Sequence, residues 1–287
     1  MEARLQRRVQ RYGWDRAAGI YERSWQAQIA PAHDVMLSMA DLRPGERVLD
    51  VAAGTGLVTF RAAEAVGPTG SVTGTDISGE MVERARDMGR AHGQATVQFE
   101  RADAEDLPFA EGLFDVALCG LGLMYVPDPV QALREMRRVL RPGGRAAVAV
   151  WGERRACGWA EIFPITDARV ASDVCPMFFR LGTQTTLALA FETAGFGEIE
   201  LRRMSTVLQY RSADEALTAA FEGGPVALAY SRFDAATRAA VHAEYLQSIA
   251  AYRGGDGYRI PGEFVVAAAR ASVTPARRDR ELANAGF

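Results

Sequence analysis

The sequence contains no lysine; all 33 basic residues among its 287 are arginines. That excludes Schiff-base and lysine general-base chemistry, and it excludes a P-loop, whose lysine must reach the phosphates. Cysteine is scarce as well. Cys119, Cys157 and Cys175 are odd in number, with no CxxC pair and no metal-ligand spacing, so we expect three reduced thiols in a cytoplasmic protein. His33, His92 and His242 are scattered without a ligand pattern, and no metal site is expected. No apolar run approaches the roughly 18 residues of a membrane helix, so no membrane partner is expected. Net charge is only −3, with no dense basic block, which argues against nucleic acid. The arginine-rich start, "MEARLQRRVQRYGW", carries Glu2 and no serine, and reads as an ordered first helix rather than a transit peptide.

With 48% hydrophobic and 24% charged residues, the composition is that of an ordinary globule of this length. Residues 3–41 read as two or three helices, with Trp14, Tyr21 and Trp25 on one face. From "DLRPGE" (41–46) onward, strands and helices alternate in the manner of a parallel sheet with crossover helices. Strands are expected at 47–51, 71–77, 96–103, 114–121 and 145–152, with Ser78 capping the helix after the second. The rhythm then breaks. Residues 153–194 and 212–252 read as mostly helical insertions around a strand at 195–210, and a last strand is expected at 262–272. The expected division is an N-terminal lid (1–41), a core (42–152), a region completing the sheet with its insertions (153–272) and a loose tail (273–287).

"RVLDVAAGTGLVTF" (47–60) reads as a buried strand, a tight glycine turn through Gly54 and Gly56, and a helix N-terminus. Such a turn cradles nucleotides. Asp76 lies 20 residues after Gly56, at the end of the second strand, where a carboxylate can accept both ribose hydroxyls. A dinucleotide fingerprint needs a third glycine three positions after Gly56, and position 59 is threonine. The expected ligand therefore carries adenosine without a pyrophosphate. Asp103 closes the third strand and brings a second carboxylate to the same sheet edge, with the Ala104 amide beside it to read the adenine rim.

Together, "LDVAAGTG", "GTDISGEMVERAR", "ADAEDLPFAEGLFDVALCG" and "LREMRRVLRPGGR" resemble a class I S-adenosylmethionine-dependent methyltransferase of the ubiquinone/menaquinone-biosynthesis-like group. The likeness spans residues 30–152. One departure is Ala52, which stands where the family's glycine signature usually begins. The resemblance implies a Rossmann-like seven-stranded α/β sheet, order 3-2-1-4-5-7-6 with strand 7 antiparallel, and helical cap insertions. It implies S-adenosylmethionine as cofactor and a small-molecule methyl acceptor. The amino-acid end of the cofactor would lie over Ala52, Ala53, Gly54 and Gly56, with Asp50 facing its ammonium group. Asp76 would hold the ribose, Ile77 and Met81 would pack on adenine, and Asp103 and Ala104 would read its edge. Cys119 and Gly120 would border the methionine chain, and Tyr21 would be the lid contact.

Methyl transfer from a sulfonium needs positioning and exclusion of water more than a dedicated base, so no catalytic residue is assigned. Tyr125, His33 and His242 are the candidates near the acceptor. The aromatic segments "CPMFFRLG" and "LAYSRF" in the insertions suit an apolar or aromatic acceptor. Two alternatives stand beside this at the level of sequence. One is a cofactor-binding regulator or lyase/cyclase-like protein that does not methylate. The other is an arsenic or selenium methyltransferase assisted by Cys157 and Cys175.

Overall fold

A computed structural model describes residues 2–171, 175, 177–255 and 257–272; the expected tail at 273–287 lies outside them. Its centre is a twisted sheet with flanking helices. The chain opens with α1 (Ala3–Ala40), then runs β1 (Arg47–Val51), α2 (Leu57–Val66), β2 (Ser71–Asp76), α3 (Gly79–Ala91), β3 (Val97–Arg101), β4 (Phe114–Gly120), α4 (Pro129–Val139) and β5 (Leu140–Trp151). The later part holds α5 (Ile162–Asp167), α6 (Thr186–Thr193), β6 (Phe196–Tyr210), α7 (Ala213–Leu217), α8 (Ala227–Tyr230), α9 (Ala235–Ser248), β7 (Arg253–Gly254) and β8 (Gly257–Ala271).

Sheet order is β3-β2-β1-β4-β5-β8-β6, and the two-residue β7 pairs only with β8. With β7 set aside, this is the expected 3-2-1-4-5-7-6. β1 to β5 are parallel, whereas β8 runs antiparallel to both β5 and β6. The apolar runs of β1, β4 and β5 become almost wholly buried strands, as a sheet covered on both faces requires. The carboxyl ends of β1, β2 and β4 lie at one edge, so Ala52, Asp76 and Gly120 converge there.

The N-terminal segment departs from expectation. In place of two or three helices it forms one helix of 38 residues, about 57 Å long at 1.5 Å per residue, with Pro31 inside it. Proline removes one backbone N–H and crowds the preceding turn. Burial of Ile29, Ala32, His33 and Met36 around it holds the helix intact. Its C-terminus turns at Asp41 in the left-handed region (φ 49°). There Arg145 of β5 donates to the carbonyls of Ala40 and Asp41, both at 2.8 Å, and pairs with Glu46 at 2.7 Å. A buried guanidinium thus satisfies the last helix carbonyls and fixes α1 to the sheet.

The insertions are also more broken than expected. Among the described residues of 153–194 the helical elements are a short 3-10 turn, α5 and α6, and residues 212–252 divide into α7, a π-turn at Thr218–Glu222, α8, α9 and a 3-10 turn at Ala250–Tyr252. The last strand begins at Gly257, five residues before its expected start at 262, because Tyr258 and Ile260 continue the pairing with Tyr210 and Leu208.

Candidate active site

The glycine turn has a backbone that few side chains tolerate. Ala52, Gly54 and Gly56 all have positive φ, at 56°, 57° and 92°. Ala52 is the exceptional one, since a left-handed L-residue is strained. Its methyl group fits because residue 122 opposite is glycine: a Cβ there would lie 2.3 Å from the Cβ of Ala52. Gly122 thus makes room for the side chain at position 52.

The turn is tied to the end of β2. Gly54 N–H donates to Asp76 Oδ2 and Ser78 N–H to Asp76 Oδ1, both at 2.9 Å. Ser78 Oγ caps α3 by accepting from Met81 N–H at 3.1 Å, as expected from its position. Burial pushes the Asp76 carboxyl up to about 6 despite those amide bonds. Asp50, fully buried behind the turn, accepts from Thr59 Oγ1 at 2.6 Å, and its other oxygen has no partner. Burial first, and the Asp76 charge second, push Asp50 up to about 7.

Ala52, Gly54 and Asp76 border a cleft with about 1030 Å³ of empty space, its open mouth included. Of the residues singled out from sequence, Tyr21, Ala52, Gly54, Asp76, Ile77, Met81, Asp103, Ala104 and Gly120 line it. Asp50, Ala53, Gly56 and Cys119 stand behind that lining. Ala53 packs toward Val82 and Phe99. A Cβ on Gly56 would come within 2.7 Å of the Phe60 ring, so packing alone demands glycine there. Burial pushes the Cys119 thiol up to about 12, leaving it an inert neutral group. Among the acceptor-side candidates only Tyr125 reaches the cleft. His33 sits under β4, its Nε2 3.1 Å from where a Gly120 Cβ would be, and burial lowers it to about 4. His242 stacks on Tyr230 and shares a 2.9 Å hydrogen bond with its hydroxyl.

Trp14, Tyr21 and Trp25, placed on one face of the lid from sequence, do line the cleft, whereas Arg7, Gln10, Ile29 and the tryptophans of the far wall were not foreseen. Along α1, Arg7, Gln10, Trp14, Tyr21, Trp25 and Ile29 all line the cleft, at the three- and four-residue steps of one helix face. Asp15 secures this helix by accepting from Ser78 Oγ at 2.6 Å. Trp14 meets Tyr21 and Tyr125 edge-on, with ring centres 5.6 and 5.1 Å apart. Beyond Tyr125 the wall continues through Phe178, Trp159 and Trp151, with successive centres 5.3, 5.6 and 4.8 Å apart. One end of the cleft is therefore polar and acidic, and the other aromatic and apolar. The i, i+3, i+4 periodicity of α1 was the available signal for its share; Trp151 and Trp159 carried none, because their partners lie far away in sequence.

Residues 42–161 match the family described as "Methyltransferase domain". Over 113 residues the chain is 48% identical to the ubiquinone/menaquinone biosynthesis C-methyltransferase of Ectopseudomonas mendocina, covering 39% of this chain and 44% of that protein. The chain spans about half the length of the curated relatives it matches. Among solved structures, the YcgJ protein of Bacillus subtilis superposes with a TM-score of 0.60 at 17% identity, covering 85% of this chain and all of that one. A putative methyltransferase from Bacillus halodurans gives 0.57 at 21% identity, covering 84% of this chain and 99% of its own. At these identities the structural likenesses establish the fold.

Proposed function

We propose that this chain, whose core belongs to the class I S-adenosylmethionine-dependent methyltransferases of the ubiquinone/menaquinone-biosynthesis-like group, methylates a small apolar or aromatic molecule held against the tryptophan wall. The cofactor is S-adenosylmethionine, which when bound supplies a methyl group already activated on a sulfonium sulfur. The residues present suit it. The bare backbone at Gly54 and the N-terminus of α2 accept the carboxylate of its amino-acid end. The unpartnered oxygen of Asp50, behind the turn with Ala53 and Gly56, gives that end a negative ground for its ammonium group. Each oxygen of Asp76 has given one lone pair to an amide and keeps another for a ribose hydroxyl. Ile77 and Met81 pack the adenine, Asp103 and the Ala104 amide read its rim, and Gly120 beside Cys119 borders the methionine chain.

At the transfer end the chain's task is positional. Trp151, Trp159, Phe178 and Met124 present apolar surface that excludes water and orients a flat acceptor. Tyr125 points up the same wall. Burial holds its hydroxyl well above its ordinary range, so it acts as a hydrogen-bonding group rather than a base. The first 41 residues then serve as the lid, residues 42–152 as the cofactor core and residues 153–272 as the acceptor cap. We place the protein in the cytoplasm, where its three free thiols stay reduced. No helix among the described residues is long and apolar enough to cross a membrane.

The observation that carries this reading is continuity: Gly54 and Asp76 line the same cleft as Trp151 and Trp159. The test is to supply S-adenosylmethionine with a panel of apolar phenols, amines and activated carbon nucleophiles and to measure S-adenosylhomocysteine. Formation of one equivalent per methylated acceptor supports it. Tight cofactor binding with no turnover on any acceptor would favour a protein that binds the cofactor without methylating.

A further inference from the structure

Arg7 is the residue of the roof that the cofactor's needs leave unexplained. It lies in the second turn of α1, lines the cleft, and its side chain is 35% exposed. Its Nε–H donates to Glu105 Oε2 at 2.6 Å, and the same nitrogen lies in ion-pair contact with Asp103 Oδ2 at 2.9 Å. Asp103 Oδ1 is held from the other side, accepting from Glu105 N–H at 3.0 Å. Glu105 is itself buried, with a side chain 5% exposed, and its Oε1 accepts from Asp128 N–H at 2.9 Å at the start of α4. Asp103 is thereby clamped between a rigid loop and a residue of the N-terminal helix. Its Oδ1 has one lone pair engaged by the Glu105 amide, and its Oδ2 is held by the charge of the guanidinium, so both oxygens keep room for a further donor.

We infer that Arg7 is a positioning residue that sets nucleobase selectivity: by orienting Asp103 it fixes the carboxylate that accepts the 6-amino group of adenine. This rests on the reading of Asp103 as the adenine-rim acceptor. An unclamped aspartate, one-third exposed, samples several rotamers and loses much of its ability to discriminate a donor from an acceptor. Both contacts run to Nε, within the side chain, where the delocalised guanidinium carries charge and the compact ammonium at the tip of a lysine does not. Selectivity for adenine then depends on α1 being docked, so the helix that roofs the acceptor wall also qualifies the cofactor.

The test compares S-adenosylhomocysteine with S-inosylhomocysteine, whose 6-oxo group presents an acceptor where adenine presents a donor. Binding of both is measured by calorimetry to the full chain, its R7M variant and its R7K variant, each checked for an unchanged melting temperature. In the parent protein the adenosyl ligand binds about a hundredfold more tightly, because a site built to accept a hydrogen bond rejects a ligand that cannot give one. In R7M this ratio collapses to about tenfold or less, chiefly through weaker adenosyl binding, and R7K recovers part of it. If R7M weakens both ligands equally and keeps the ratio, Arg7 is only a structural tie and the inference is overturned. If the parent protein binds both alike, the assignment of Asp103 fails first, independently of Arg7.

Discussion

Substituting Gly122 by alanine should damage the protein through one identifiable atom pair, and substituting Ala52 by glycine should repair it. At φ −99° and ψ −37° Gly122 has a backbone that alanine adopts freely. Its replacement alone would restrict the unfolded chain and stabilise by about 0.4–1 kcal/mol. The new Cβ, however, would sit 2.3 Å from the Cβ of Ala52 and 3.2 Å from the Cys119 sulfur. Neither methyl can rotate away, since each is fixed to its backbone, so the clash must be met by moving β1 or the loop after β4. Overpacking of this kind costs about 1–3 kcal/mol, and at so short a contact we expect the upper end. The net loss for G122A is about 2 kcal/mol, or about 3 °C in Tm for a chain of this size. A52G alone relieves a left-handed alanine, worth about 1–2 kcal/mol, and adds the entropy cost of glycine, about 0.5–1 kcal/mol. It should lie within about 1 kcal/mol of the parent. In the double variant the 2.3 Å contact no longer exists and stability returns to within about 1 kcal/mol of the parent, a coupling of about 2 kcal/mol. Denaturant unfolding of all four proteins measures this, with S-adenosylhomocysteine affinity as a second readout, because both residues line the cleft. If G122A is neutral, or the double variant loses the sum of the single losses, the compensation between Ala52 and Gly122 is wrong.

Two further outcomes concern the acidic end. Asp76→Ala removes the acceptor for two backbone amides and for both proposed ribose bonds, and should weaken S-adenosylhomocysteine about a hundredfold by calorimetry while the sheet stays folded. Asp50 and Asp76 have folded-state values raised to about 7 and about 6 from an ordinary 3.8, so the folded protein holds protons that the unfolded chain releases. Their contribution to stability is therefore fully present below about 4 and is lost as pH rises to about 7. Thermal unfolding of the ligand-free protein against pH should show that decline, flattened in Asp50→Asn; an unchanged slope in the variant would contradict the assignment.

The glycine turn and Asp76 at the end of β2 were legible because each is written locally; the strand order came from the family resemblance, and Asp103, expected to close the third strand, lies two residues past its end at Arg101. The alternation of buried strands with amphipathic helices fixes a parallel sheet, and a strand's last residue necessarily lies at its carboxyl edge. Ser78 as a helix cap is local in the same sense. The single long α1 was not, because Pro31 is a valid stop signal that loses only to packing by Ile29, Ala32 and Met36. The same holds for Arg7, a surface-looking arginine whose partners Asp103 and Glu105 are about a hundred residues away. His33 and His242, considered from sequence as groups near the acceptor, do not line the cleft: one is buried under β4 and the other stacks on Tyr230. Ala52 looked like a mere departure from a motif until Gly122 appeared opposite.

The central claim is that the cleft between α1 and the edge of β1, β2 and β4 holds an adenosyl amino acid and no dinucleotide. Calorimetric titration of the purified, ligand-free chain with S-adenosylhomocysteine, with NADH as the control ligand, tests it most directly. We predict one-to-one binding of S-adenosylhomocysteine and no heat of binding with NADH. A folded sample that ignores S-adenosylhomocysteine, or that binds NADH in its place, would contradict the account.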